Sequence, residues 1–210
     1  MTAPNSFSIR VLYTSTTANP THPLLFRSYP SRGISLNPTI VESLCATLVA
    51  PSLFSPVKIG PRLREQKFIG GALGANNPTR ELLKEASNLF GKDRRVAQIL
   101  SIGSGRSHLI SLDPGATEET VNQLGQDLAS DCEMVARELS TRLYNVDAYL
   151  RLNVERGMED IKMDDWTGLG DIESHTVTYL EGSGMTEMIE ASLQRLNTRV
   201  GSVTLAQISK

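Results

Sequence analysis

FIGGALGANNPTRELLKEASNLFG, residues 68–91, decides how the rest of the chain is read. It has the form of a strand, a glycine-rich loop and a helix. Pro78 suits a first helical turn, where its preset φ is already helical and its missing N–H has no partner to lose, and Asn77 before it is a plausible cap. Leu82, Leu83, Ala86, Leu89 and Phe90 then make one helical face, and Gly91 ends it. The amides of Asn76 and Asn77 can satisfy backbone groups of the turn.

Downstream, residues 96–102 (VAQILSI) form a near-continuous apolar run before Gly103-Ser104-Gly105, which predicts a central strand buried in a helix-covered sheet. Upstream, residues 7–13 alternate apolar and polar as a half-buried strand would. Residues 24–29 (LLFRSY) are a second short apolar run, with a Thr, Asn and Pro-rich loop between the two. Asn37-Pro38 opens TIVESLCATLVA, whose Ile40, Leu44 and Leu48 keep helical spacing until Pro51, and a buried helix is predicted. Residues 54–59 read as a short strand ahead of the charged loop PRLREQK. From Thr117 the pattern is mostly helical, with alternation returning briefly at Tyr149 and helices predicted over about 170–181 and 186–200. The expected fold is α/β: a small, mostly parallel sheet flanked by helices over residues 1–116, with a helical segment, 117–210, packed on it.

Composition narrows the function. A chain of 210 residues suits one domain. With 21 Lys plus Arg against 23 Asp plus Glu, the net charge of -2 offers no field for a polyanion, and 5% aromatics supply little for base stacking. Nucleic acid is therefore not an expected partner. No run of 18 apolar residues occurs and no basic leader precedes an apolar stretch, so a cytoplasmic protein without a transmembrane segment is expected. Cys45 and Cys132 sit in apolar stretches outside any CxxC spacing and read as reduced core residues. No cofactor or metal is expected.

Four motifs carry a resemblance: LLFRSYP at 24–30, ATLVAPSLF at 46–54, FIGGALGANNP at 68–78 and LSIGSG at 100–105. In this order and spacing they resemble the C-terminal half of a patatin-like lipid acyl hydrolase domain, nearest to its fungal branch. YLRLNVERGMEDIKMDDW at 149–166 and the segment with His175 and Tyr179 are also similar to that branch. The resemblance implies a serine in a GxSxG elbow, an aspartate as its base and a glycine-rich oxyanion loop. Neither IGSGRS nor EGSGMT forms the elbow, and the family's elbow and oxyanion loop would precede the first matching strand. The aspartate position is occupied by Gly70, followed by Gly71 and Ala72, while Gly74, Asn76, Asn77 and Pro78 keep the family's loop. Glycine offers no base.

What the resemblance then implies is a domain without the dyad that binds a lipid, another hydrophobic molecule or a protein through the remnant of the acyl pocket. A homo-oligomer or a partner would cover the edge that the missing strands leave. Two alternatives stand beside this reading: an enzyme reusing the pocket for rearrangement or cyclisation, with Arg27, Glu65, Asn76 and His108 as first candidates, and a split hydrolase completed by a partner. Rival sites are weaker. His22, His108 and His175 lack ligand spacing, and Glu159, Asp160, Asp164 and Asp165 lack the pattern of a calcium loop. GSGRS at 103–107 has glycines and Arg106 for a phosphate but fits no phosphate-loop spacing, and a sharp exit from the sheet explains it as well.

Overall fold

Val11–Thr16 (β1) and Asn19–Arg27 (β2) are joined through Thr17 and Ala18, and so short a connection allows only an antiparallel pair. The computed structural model describes residues 11–30, 36–51, 53–106 and 117–208. After the hairpin come Ile40–Leu48 (α1), Val57–Ile59 (β3), Gln66–Gly70 (β4) and the short turn Ala72–Ala75 (α2). The sheet runs β2-β1-β4-β3, and every neighbouring pair in it is antiparallel.

The expectation of a mostly parallel sheet is thus overturned. The stretch taken as a loop between two strands is strand almost throughout. Between the pairs Thr14↔Leu24 and Thr16↔Asn19 the register shifts, so Ser15 faces residues 20–23 and Pro20 and Pro23 fall outside the ladder. β2 is also an edge strand, where a proline's missing N–H is tolerated.

α1 begins at a complete capping box. Thr39 Oγ1 accepts the Glu42 N–H at 3.2 Å, and Glu42 Oε2 accepts the Thr39 N–H at 2.7 Å. The Thr39 N–H and, at 2.8 Å, the Thr39 hydroxyl both donate to the Glu42 carboxyl and hold it below its ordinary range. Thr39→Ala should cost about 1 kcal/mol, read by denaturant titration. A carboxylate with a depressed folded pKa stabilises above its unfolded value and loses that contribution as pH falls through the folded one, so the gap between parent and variant should narrow in acid without closing, because the Thr39 Oγ1 bond to the Glu42 N–H does not titrate.

The helix lies against the sheet with Ser43 and Ala46, while Ile40, Val41, Leu44 and Leu48 remain exposed. The predicted burial of α1 therefore holds for its small residues, not its large ones. Cys45 is exposed as well, against the expectation of a core cysteine. Beneath the helix, Ala46, Ile59 and Phe68 form the core with Phe26, Leu36 and Val57, and the Phe26 and Phe68 rings are 5.2 Å apart between centroids.

The remaining elements are Thr79–Phe90 (α3), Arg95–Val96 (β5), Ile99–Ile102 (β6), Glu118–Ala129 (α4), Glu133–Leu143 (α5), Tyr149–Leu152 (β7), Leu169–Leu180 (α6), Met185–Thr198 (α7), Val203–Thr204 (β8) and Leu205–Ile208 (α8). The chain packs as two units. One holds the described residues up to Asn76 with Asn122–Asp131, and the other holds Asn77–Val121 with the residues from Cys132 onward.

In the second unit β6 and β7 pair in parallel, and β5 pairs with β8 antiparallel. The run 96–102 is accordingly divided between two sheets. It is not a central strand: in β6 Ile99 and Ser101 are buried while Leu100 and Ile102 are exposed, the alternation of a strand covered on one face. Leu83, Ile99, Leu139, Leu143, Ala148, Val203, Leu205 and Ile208 form this unit's core. No helix among the described residues is long and apolar enough to cross a membrane.

Candidate functional site

β4 delivers the glycine loop. Thr14 Oγ1, fully buried on β1, donates to the Ile69 carbonyl at 2.7 Å, and the Gly70 N–H donates to the Val49 carbonyl at 2.8 Å. The segment following α1 therefore closes over Gly70. A Cβ at this position would lie 2.8 Å from the Thr47 carbonyl oxygen and 2.9 Å from that of Val49. Two acceptors face the place where the resemblance puts an acceptor carboxylate, so there is neither room nor favourable charge for an aspartate.

Past Gly71 and Ala72 the backbone turns at Gly74, whose φ of 94° is a glycine conformation. Asn76 Nδ2 donates to the Ser130 carbonyl at 2.6 Å. Asn77, buried, donates from Nδ2 to the Cys132 carbonyl at 3.1 Å, and its Oδ1 accepts the Thr79 hydroxyl at 2.6 Å and the Thr79 N–H at 3.3 Å. Pro78 is the residue just before α3, one place earlier than predicted, so Asn77 caps from outside the helix. Both asparagines shape the loop, and Asn77 has both ends of its amide engaged in doing so.

In the same unit, a cleft of about 840 Å³ opens where the ends of β1 and β2 meet α1. Leu12, Phe26, Tyr29, Pro30, Pro38, Ile40 and Leu44 make most of its wall apolar, and Ser28, Asn37 and Ser43 supply hydroxyl and amide groups. Arg27 is the one charged residue in the lining. Of the sequence candidates, Arg27 alone is brought to the cleft. Glu65 is exposed in the turn before β4, Asn76 is engaged with Ser130, and His108 lies outside the described residues.

The second unit contains a polar cluster that no motif announced. Arg151 and Asn153 project from one face of β7 and its continuation, as residues two apart do. Glu133, the first residue of α5, accepts from Asn153 Nδ2 at 2.9 Å and pairs with Arg151 Nε at 3.5 Å and Arg106 Nη2 at 3.4 Å. Arg151 Nη1 donates to Ser101 Oγ at 2.8 Å, and Tyr179 Oη accepts the Asn153 N–H at 3.2 Å. The neighbouring Cys132 thiol is raised above its ordinary pKa, chiefly by burial and against the pull of Arg151. The thiol form is therefore favoured there.

Crevices at the carboxyl ends of parallel strands are common ligand sites. Here the protein's own side chains fill it. The N–H groups of Gly103, Gly105 and Arg106 are taken by Leu152 O, Asn153 Oδ1 and Val154 O at 2.8, 2.8 and 3.0 Å. They are not available to a phosphate. A Cβ on Gly103 would fall on Asn153 Oδ1 and lie 2.7 Å from Arg151 Nη2, which explains the glycine without a ligand.

Comparison with protein-family models, with curated proteins and with solved structures finds no match. Site geometry is therefore the ground for a functional reading. No group of three or more His, Cys, Asp or Glu among the described residues could hold a metal ion. His22 lies within β2, His175 packs its ring against Gly157, and Asp165 accepts the Thr167 N–H at 3.0 Å as a local cap.

Proposed function

We propose that this chain is a patatin-like domain that does not hydrolyse lipid esters on its own and that binds a hydrophobic ligand in the cleft between α1 and the β1–β2 hairpin. The observation that carries the reading is the cleft: about 840 Å³, with a mostly apolar wall and Arg27 as its one charged residue. Such a concave, mostly apolar space with few polar groups is the usual form of a small-molecule site. Support for the lost chemistry comes from Gly70, whose surroundings hold no space for a base. Free thiols at Cys45 and Cys132 fit a cytoplasmic place of action.

Titration of the full chain with a fluorescent long-chain fatty acid tests the reading. Saturable binding displaced by oleate is expected, weakened about tenfold by Ile40→Glu, which puts a charge at the cleft wall where burying it costs at least 1.4 kcal/mol. Short and long p-nitrophenyl esters should show no turnover beyond a heat-treated control. Binding that never saturates overturns the ligand, and clear turnover overturns the lost chemistry.

A second reading, a protein partner or second copy laid over α1, is favoured by Val41 and Leu48. They are 69% and 71% exposed and lie outside the lining of the cleft. Sedimentation across a concentration series separates the two, since only the second gives an assembly that Leu48→Glu abolishes.

A further inference from the structure

The turn between β3 and β4 holds a leucine where the backbone favours glycine. The Arg64 N–H donates to the Pro61 carbonyl at 2.9 Å, and Leu63, third of these four residues, has a φ of 69°. That is the arrangement of a type II turn, whose third position favours Gly or Asn because a Cβ is strained there. Leu63 gains no burial in return, being 95% exposed, more than any other large apolar residue among those described.

The strands that carry the turn add a second cost. Lys58 of β3 and Lys67 of β4 are direct cross-strand partners, so two like charges stand side by side on one face of the sheet. With Arg62 and Arg64 at the tip, residues 58–67 hold four positive charges against the one negative charge of Glu65, in a chain whose net charge is -2. These side chains are all exposed, and none forms an ion pair with a described residue. Neither the strained leucine nor the uncompensated cations help the hairpin to fold, so both point to something outside the chain.

The chemistry of that partner follows from the pairing of the two features. Cations so closely spaced call for a surface of many anions, and an aliphatic tip calls for apolar matrix just beneath it. An anionic bilayer supplies phosphates at the headgroup level and acyl chains below them. Nucleic acid supplies the phosphates alone, and residues 58–67 contain no aromatic side chain on which a base could stack. The hydrogen bond that closes the turn already holds Leu63 outward, so docking has little order to impose.

We propose that the β3–β4 hairpin docks the protein on an anionic phospholipid surface, with Leu63 entering the acyl boundary and Arg62 and Arg64 meeting lipid phosphates. None of the hairpin's residues lines the cleft, so this docking does not depend on what the cleft holds.

Co-sedimentation of the full chain with vesicles is the test. Binding is expected to an equal mixture of phosphatidylcholine and phosphatidylserine, not to phosphatidylcholine alone, and it should fade at about 1 M salt, where the Debye length is ~3 Å. Arg62→Gln with Arg64→Gln should weaken it about twentyfold, near fivefold for each cation at the surface. Leu63→Gly relaxes the turn, so it should leave the chain at least as stable to denaturant while weakening vesicle binding about threefold or more. Equal binding to both vesicle types, or a variant of either kind that binds like the parent, overturns the proposal. If the mixed vesicles do not bind while a duplex oligonucleotide does, the cations serve nucleic acid instead and the proposal falls; it falls equally if neither binds.

Discussion

Gly70→Asp should destabilise the first unit by about 4 kcal/mol and should give no ester hydrolysis. The estimate combines overpacking of ~1–3 kcal/mol with the cost of a buried, unsatisfied carboxylate. The overpacking is specific: the new Cβ meets the Thr47 and Val49 carbonyl oxygens at 2.8 and 2.9 Å, and both are backbone atoms that cannot swing aside. Gly70→Ala isolates the steric part and should lose about 2 kcal/mol. Denaturant unfolding of the three proteins, with a hydrolysis assay on each, measures both effects. A Gly70→Asp chain as stable as its parent would mean that the segment after α1 yields readily, and that a base can be accommodated where the resemblance expects one.

The second large effect belongs to Glu133. Glu133→Ala leaves the Arg151 guanidinium, with 9% of its side chain exposed, without its carboxylate and facing only the neutral Ser101 hydroxyl and Cys132 thiol, and strands Asn153 Nδ2. Breaking a buried pair from one side costs ~3–5 kcal/mol, and because Glu133 is itself 25% exposed the lower end applies, about 3 kcal/mol. For a domain near 100 residues that is a fall in melting midpoint of about 10 °C or more. Glu133→Gln keeps an acceptor for Asn153 and should recover part of the loss. Glu133→Leu with Arg151→Met should recover more, since replacing both charges removes the uncompensated one. Equal losses in all three would show that packing around α5, not charge, dominates.

The parts legible in the sequence were those governed by local chemistry. α3 could be placed because Asn77, a helical apolar face and Gly91 all act within one short stretch. α6 and α7 fell close to their predicted limits for the same reason. The hairpin was hidden because its turn, Thr17-Ala18, lacks the usual glycine or asparagine, and because Pro20 and Pro23 argue against a strand unless a register shift removes them from the ladder. Periodicity located α1 but could not say which face turns inward, and here small residues pack while the large apolar ones stay out.

Sites followed the same division. Arg27, singled out within LLFRSYP, does reach the cleft, while Glu65 does not, because sequence proximity to the glycine loop says nothing of direction. Arg151 and Asn153 lie two apart in the stretch that the sequence marked only by its alternation from Tyr149. Their partner Glu133 lies on another element with no spacing rule to connect it.

The pairing of β5 with β8 also sets an order of events during synthesis. Arg95 and Val96 find their partners only at Thr204 and Val203, and the same core needs Leu205 and Ile208, which are all but fully buried. Contacts so distant along the chain form slowly and only after loop closure has been met. On the ribosome the second unit must therefore wait, with Leu83, Ile99 and Leu139 unsheltered, until residue 208 has emerged. In that interval the second unit's apolar side chains are open to non-native contacts, whereas the cleft of the first unit, lined by residues between Leu12 and Leu44, uses none of them.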